Sequence, residues 1–245
     1  MHKTEHEIGR THTADLHSQP PKTNTQPIEA KPNMSTNAHY LPIVTDRKLQ
    51  IFDLGNVLYR VDARRTMAEF EKLGMPHLEG VISNSHAAGG VFSLYCDGKV
   101  TTPDFIRQVR EVCHIPEATD QQITDAWNAM LLGFDPAAIE CVRNVRKAGY
   151  TVALLSNCNE LHATMCREQY AAQLANANYP HDTFDKLFHA VFFSQEIGMS
   201  KPDPNTWLKV LNDMGFDAKD AAFYDDSQIN VDAANALGIA GVVIG

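Results

Sequence analysis

The chain has 245 residues, 44% of them hydrophobic and 21% charged, and a formal net charge of -9. This is enough apolar material for one large domain or a core with a small insert, and the acidic balance, without any Lys/Arg run, excludes nucleic acid as the main partner. Five cysteines without a CxxC pair exclude a disulfide framework and a thiolate zinc site, and no stretch reaches the roughly 18 apolar residues of a membrane span or resembles a secretion signal, so a cytoplasmic location is expected.

Residues 1–46 are polar, rich in Thr, His, Pro and Asn, and without hydrophobic period. They are expected to form a disordered tail, since they bury too little apolar surface to offset their conformational entropy. The histidines there (His2, His6, His12, His17, His39) have a spacing that fits no compact metal site. Order is expected from Lys48. LQIFDL is a short apolar run ending in Asp53, the pattern of a buried parallel strand. Residues 62–73 carry a helical period, and 76 to about 133 read as several short helices. Among these, Thr102-Pro103 predicts a helix start with Thr102 as N-cap and Pro at the first position. Asp135-Pro136 opens a helix that runs to Lys147 and is closed by Gly149. Further strands are predicted at TVALLS (151–156), HAVFFS (189–194), AAFYDD (221–226) and AGVVIG (240–245), with helices at 159–171, 203–214 and 229–237.

Strands alternating with helices predict an α/β fold: a Rossmann-like parallel sheet with helices on both faces. The stretch between the first two strands is too long for a simple crossover. It predicts a small helical cap at 63–134, inserted after strand 1 into a core formed by 47–62 and 135–245.

Ligands of an open parallel sheet bind at the carboxyl ends of its strands. Asp53 ends the first strand, Ser156-Asn157 the second and Asp225-Asp226 the fourth, while Lys201 follows the third. Together these groups are complete for phosphoryl transfer through an aspartate. Asp53 can attack phosphorus and form an acyl-phosphate. A carboxylate and a phosphate dianion repel each other, so a divalent cation is expected between them, held by Asp53, Asp225 and Asp226. Lys201 can neutralise remaining charge, and Ser156, with the amides after the second strand, can donate hydrogen bonds to phosphoryl oxygens. The Gly55-Asn56 turn lets backbone approach metal and phosphate closely.

These four segments resemble the motifs of the haloacid dehalogenase superfamily: IFDLGNVL, ALLSNCN, GMSKPDPNTW and FYDDSQINVDAANALG, in the family's order over residues 49–245. Carried over by position, the resemblance implies Asp53 as nucleophile, Ser156 as phosphate-binding hydroxyl, Lys201 as charge-balancing lysine, Asp226 as direct metal ligand, Asp225 as supporting acid and Asn230 as a residue that helps hold the metal site. The Gly55 carbonyl is implied as a further metal contact, and Asn56 and Asn157 as substrate contacts. DLGNV, YCDGKVTTPDF, the Trp127 segment and LSNCNELHATMCREQY are similar to bacterial glucose-1-phosphatase-like proteins and to the phosphatase domain of soluble epoxide hydrolases. The resemblance implies a Mg²⁺-dependent phosphatase of small phosphate monoesters, with a sugar 1-phosphate as one candidate, acting as a monomer or homodimer with neither membrane nor nucleic acid as partner. The named dehalogenases lack an acidic pair after strand four, so Asp225-Asp226 favours phosphate chemistry over C–Cl cleavage.

One position departs from the pattern. Most phosphatases of the superfamily carry an acid two residues after the nucleophile, where this chain has Gly55. Three readings stay open: an intrinsically good leaving group, a proton supplied by Asp62 or a cap residue, or a regulatory phosphate-binding protein without turnover.

Overall fold

The structure is a computed structural model that describes residues 41–75, 90–175 and 183–245, all within one compact unit spanning Met34–Gly245. Numbered in chain order, the described elements begin with β1 (Leu49–Phe52), β2 (Tyr59–Val61), α1 (Ala63–Lys72), α2 (Val91–Cys96), α3 (Thr102–Val112), α4 (Asp120–Asn128) and β3 (Leu131–Phe134). They continue with α5 (Pro136–Lys147), β4 (Thr151–Ser156), α6 (Glu160–Ala175), α7 (Phe184–Leu187), β5 (Ala190–Phe193), α8 (Ser194–Ile197) and α9 (Pro204–Met214). A 3₁₀ turn (Ala218–Asp220), β6 (Ala221–Asp225), α10 (Gln228–Ala236) and β7 (Ala240–Val243) complete the chain.

Five strands form one parallel sheet in the order β5-β4-β1-β6-β7. Side chains alternate across it, as the period of two demands. Leu49 and Ile51 of β1, Ala153 and Leu155 of β4, and Ala221 and Phe223 of β6 pack on one face with Trp207 and Val210 of α9. Phe52, Val152, Leu154, Ala222 and Tyr224 pack on the other with Val142 and Val145 of α5 and Cys166 and Tyr170 of α6. Both faces are therefore covered, which explains strands that are apolar throughout.

β1 sits in the centre, in register with β4 (Leu49↔Thr151) and with β6 (Leu49↔Ala221). Asp53 and the β4 and β6 termini thus emerge side by side. A second, two-stranded sheet pairs β2 with β3 antiparallel (Tyr59↔Phe134) and frames both ends of the α1–α4 segment. These helices share their own apolar cluster, centred on Phe92, Phe105 and Trp127, with Phe92 stacked on Trp127 at 4.9 Å. β3 lies at the end of a stretch predicted as helices, and β2 lies between the first strand and the first helix, where no element is predicted. The two strands have three and four residues, too short to display a period.

Smaller differences have local causes. The N-cap of α3 is Thr101, which accepts the Asp104 N–H, so Pro103 falls one place deeper than predicted. Residues 1–40 of the predicted tail lie outside the described residues, but 41–46 pack on the sheet. Leu41 is buried in the core, and Val44 N–H donates to Tyr224 Oη at 2.8 Å. Gln50, fully buried in β1, accepts from Tyr224 Oη at 2.5 Å and donates to the carbonyls of Val44 (3.0 Å) and Arg47 (2.7 Å). A chain starting at Leu41 should melt like the full chain. One starting at Arg47 loses the Leu41 packing and both Val44 hydrogen bonds, about 2–3 kcal/mol, and its Tm should fall by about 5 °C. Equal melting of the two truncated chains in calorimetry would refute this.

Candidate active site

Asp53 leaves the carboxyl end of β1, Ser156 ends β4, Asp225 ends β6 and Asp226 follows it. Lys201 arrives on the loop between α8 and α9. All five line one cavity of about 280 Å³, together with Gly55, Asn56, Asn157 and Asn230.

Lys201 is buried, with Nζ 2.6 Å from Asp53 Oδ1 and 2.6 Å from Asp225 Oδ2. Burial works against its charge, but the two carboxylates outweigh that and hold its pKa above the usual lysine value. Burial pushes Asp53 up to about 6, with Lys201 pulling it down and Asp225 pushing it further up. Desolvation is the larger influence, so without further positive charge the ionised form of Asp53 is less favoured than in water.

The two acids after β6 differ. Asp225 is fully buried and engaged: besides Lys201 it accepts the Ser227 N–H at 2.8 Å and Asn230 Nδ2 at 3.0 and 3.2 Å. Asp226 is exposed, and Asn56 Nδ2 donates to it at 3.1 Å. Carboxylate oxygens of Asp53, Asp225 and Asp226 lie within 4.8 Å of one another. Three acids facing one ammonium leave negative charge uncompensated, and all the donor atoms are hard oxygens. A divalent cation such as Mg²⁺ fits this set.

In the turn after Asp53, Asn56 takes the left-handed conformation (φ 53°). Asn56 Oδ1 accepts the Val61 N–H at 3.1 Å, which locks the turn against β2. A Cβ on Gly55 would meet only ordinary contacts, Val61 Cγ2 at 3.7 Å and Asp53 Oδ2 at 3.9 Å. Asp62, considered above as a proton source, caps α1 and does not line the cavity. Hydrogen bonds from Arg64 hold its carboxyl below the usual range, so it stays ionised.

Residues 48–238 match the haloacid dehalogenase-like hydrolase family. The chain belongs to that family. It is 26% identical over 189 residues to a D-ribitol-5-phosphate phosphatase of Bacteroides thetaiotaomicron, covering 77% of this chain and 87% of that protein. It is 27% identical over 208 residues to a sesquiterpene phosphatase, astK, of Aspergillus oryzae, covering 81% and 90%. Among solved structures, a haloacid dehalogenase family enzyme of B. thetaiotaomicron in complex with magnesium and inorganic phosphate superposes with a TM-score of 0.72 at 30% identity, over 81% of this chain and 94% of that one.

Within this hydrolase, two side chains suggested as substrate contacts are engaged with the protein. Asn157 donates from Nδ2 to Lys201 O and accepts the Lys201 N–H at Oδ1, both at 2.8 Å, so its amide fixes the lysine backbone. Asn56 is tied to Asp226 and Val61 as described. The Ser156 hydroxyl lines the cavity with no protein partner among the described residues. Sequence reasoning missed the part of the cavity wall formed by Tyr59, Val61, Met130, Leu131 and His162. His162 Nε2 lies 3.3 Å from the Trp127 carbonyl, an acceptor only, so that nitrogen carries the proton. Burial lowers its pKa to about 4, which keeps the ring neutral at pH 7. Its sequence signal is a histidine one turn into the helix after the second motif. Among the described residues, no helix is long and apolar enough to cross a membrane.

Proposed function

We propose that this hydrolase is a Mg²⁺-dependent phosphatase of small phosphate monoesters that works through an aspartyl-phosphate on Asp53. The observation that carries this reading is the placement of Asp53, buried between one ammonium and two further carboxylates, at the end of the central strand. Asp53, Asp226 and the Gly55 carbonyl would hold the cation directly, and Asp225 would support them. When bound, Mg²⁺ supplies the positive charge that lets a carboxylate approach a phosphate dianion.

The chain's own residues do the rest. Asp53 Oδ attacks phosphorus, the P–O bond to the leaving alcohol breaks, and the alcohol oxygen takes a proton from solvent water. Water then attacks phosphorus, releasing phosphate and regenerating the Asp53 carboxylate. Lys201 orients Asp53 and balances charge, while Ser156 Oγ and the amides after β4 donate to phosphoryl oxygens. The helical segment α1–α4 and the β2–β3 pair serve as the cap that bounds the leaving-group side. The phosphatase names of two relatives support the reaction class, and their unlike alcohols leave the leaving group a matter for this chain's own wall. A sugar 1-phosphate suits Gly55, since an anomeric oxygen needs less protonation than an ordinary alkoxide.

Gly55 also favours a second reading, a regulatory phosphate binder. A phosphate-ester panel with p-nitrophenyl phosphate decides between them. Turnover with Mg²⁺, abolished by EDTA and restored by added Mg²⁺, is expected. Full activity in a metal-stripped sample would sink the mechanism, and phosphate binding without turnover of any ester would establish the second reading.

A further inference from the structure

The helical segment touches the catalytic loops at a point far in sequence from the β2–β3 pair: the turn Cys96–Gly98 between α2 and α3. This turn meets two site-bearing segments at once. Asp97 Oδ1 accepts a hydrogen bond from Ser200 Oγ, one residue before Lys201. Ser194 Oγ, from the first residue of α8, lies 2.6 Å from Cys96 O and 3.0 Å from Cys158 O, and it accepts the Cys158 N–H at 2.9 Å. One buried hydroxyl therefore joins the turn to the loop that follows Ser156.

Two more contacts reinforce the junction. Asn159 reaches Cys96 Sγ from Nδ2 at 3.8 Å and accepts Trp127 Nε1–H at 3.3 Å. The Tyr95 hydroxyl accepts the Leu161 N–H at 3.2 Å. The approach is closed to any side chain at Gly98. An added Cβ would sit 2.2 Å from the Gln195 carbonyl oxygen, at a φ of +68°. Asn157 already holds the Lys201 backbone through two hydrogen bonds, so the Ser156 loop and the lysine loop form one framework, gripped by the turn at Ser200 and Ser194.

We infer that the Cys96–Gly98 turn is a positioning element of the catalytic centre, with Asp97 acting on Lys201 through Ser200. This rests on the phosphatase reading for its kinetic consequence and on the contacts alone for its structural one. A lysine Nζ shared between two carboxylates at 2.6 Å each tolerates little displacement, and small misplacements of such groups cost rate more than substrate affinity.

The test uses Asp97→Ala, Ser200→Ala and the double variant in the full chain, with two readouts. Hydrogen exchange on the metal-free protein should show lost protection at residues 199–202, with Tm close to wild type. With Mg²⁺, kcat should fall about 10- to 100-fold with KM little changed. The double variant should be no worse than the worse single one, because the two side chains act through one bond. Gly98→Ala, which forces the whole turn off Gln195, should extend the lost protection to residues 157–161. Unchanged exchange at 199–202, or wild-type kcat in both single variants, overturns the proposal, as does a loss confined to Tm. A wild-type protein inert toward every ester, yet loosened at 199–202 by the substitutions, would sink the phosphatase reading and leave the positioning contact standing.

Discussion

Asp53→Asn should reduce kcat by roughly four orders of magnitude or more, because the covalent route is lost rather than weakened. The amide keeps the shape of the carboxylate but removes its charge and most of its nucleophilicity. The fold should survive. Burial raises the Asp53 pKa to about 6 in the metal-free protein, so the folded state holds this proton more tightly than the unfolded chain. As pH rises from about 4 to about 6 the group therefore subtracts stability, and above that range the ionised carboxylate remains a cost that Asn does not carry. The variant, stripped of metal, should accordingly melt no lower than wild type at pH 8, while losing relative ground near pH 4. The deciding measurement for the chemistry is rapid acid quench during turnover, followed by borohydride reduction. Reduction of the acyl-phosphate should convert Asp53, and no other residue, to homoserine. Repeated failure to trap it in a sample that is turning over would indicate direct attack by water instead.

Lys201→Met should be nearly as damaging to rate and far more damaging to stability. Its ammonium is the partner of two buried carboxylates, and its side chain is only 2% exposed. Methionine fills the volume and leaves Asp53 and Asp225 facing each other without a cation, a loss of about 3–5 kcal/mol of the kind seen when one member of a buried ion pair is removed. With the lysine gone, protonation relieves the repulsion, so the variant's deficit should be greatest at pH 8 and shrink toward pH 5. Denaturant unfolding at both pH values, without metal, reads this directly. A deficit independent of pH would mean that the ammonium and the two carboxylates are not coupled as their distances indicate.

The convergence of Asp53, Ser156, Lys201, Asp225 and Asp226 is legible in the sequence because each terminates or follows an apolar run buried on both faces. Such runs announce themselves without help from tertiary context. The parallel sheet follows from the same signal, reinforced by the cap at Asp135-Pro136, where the aspartate side chain accepts the first helical amides. The β2–β3 pair is not legible, since Tyr-Arg-Val and Leu-Leu-Gly-Phe are too brief to show a period and owe their conformation to each other. The packing of residues 41–46 is hidden for a similar reason. It depends on Gln50, which as a lone polar residue in a strand reads as ordinary until Tyr224 is placed beside it. Nor does the sequence show that the amide of Asn157 serves the lysine backbone, or that Ser194 binds three segments together. Those roles arise only when loops about 40 to 100 residues apart meet.

The central position of β1 also governs when the site comes into being. Its two neighbours lie about 100 and about 170 residues further along the chain. During synthesis the strand that carries Asp53 emerges with both edges unpaired, and its second partner follows only about 170 residues later. Contacts of such long sequence separation make folding slow and leave an apolar segment exposed in the interval. Asp225 at the end of β6, Asp226 after it and Asn230 on α10 follow Asp53 by about 170 residues, so a nascent chain carries Asp53 through that interval without the groups that surround it in the folded site.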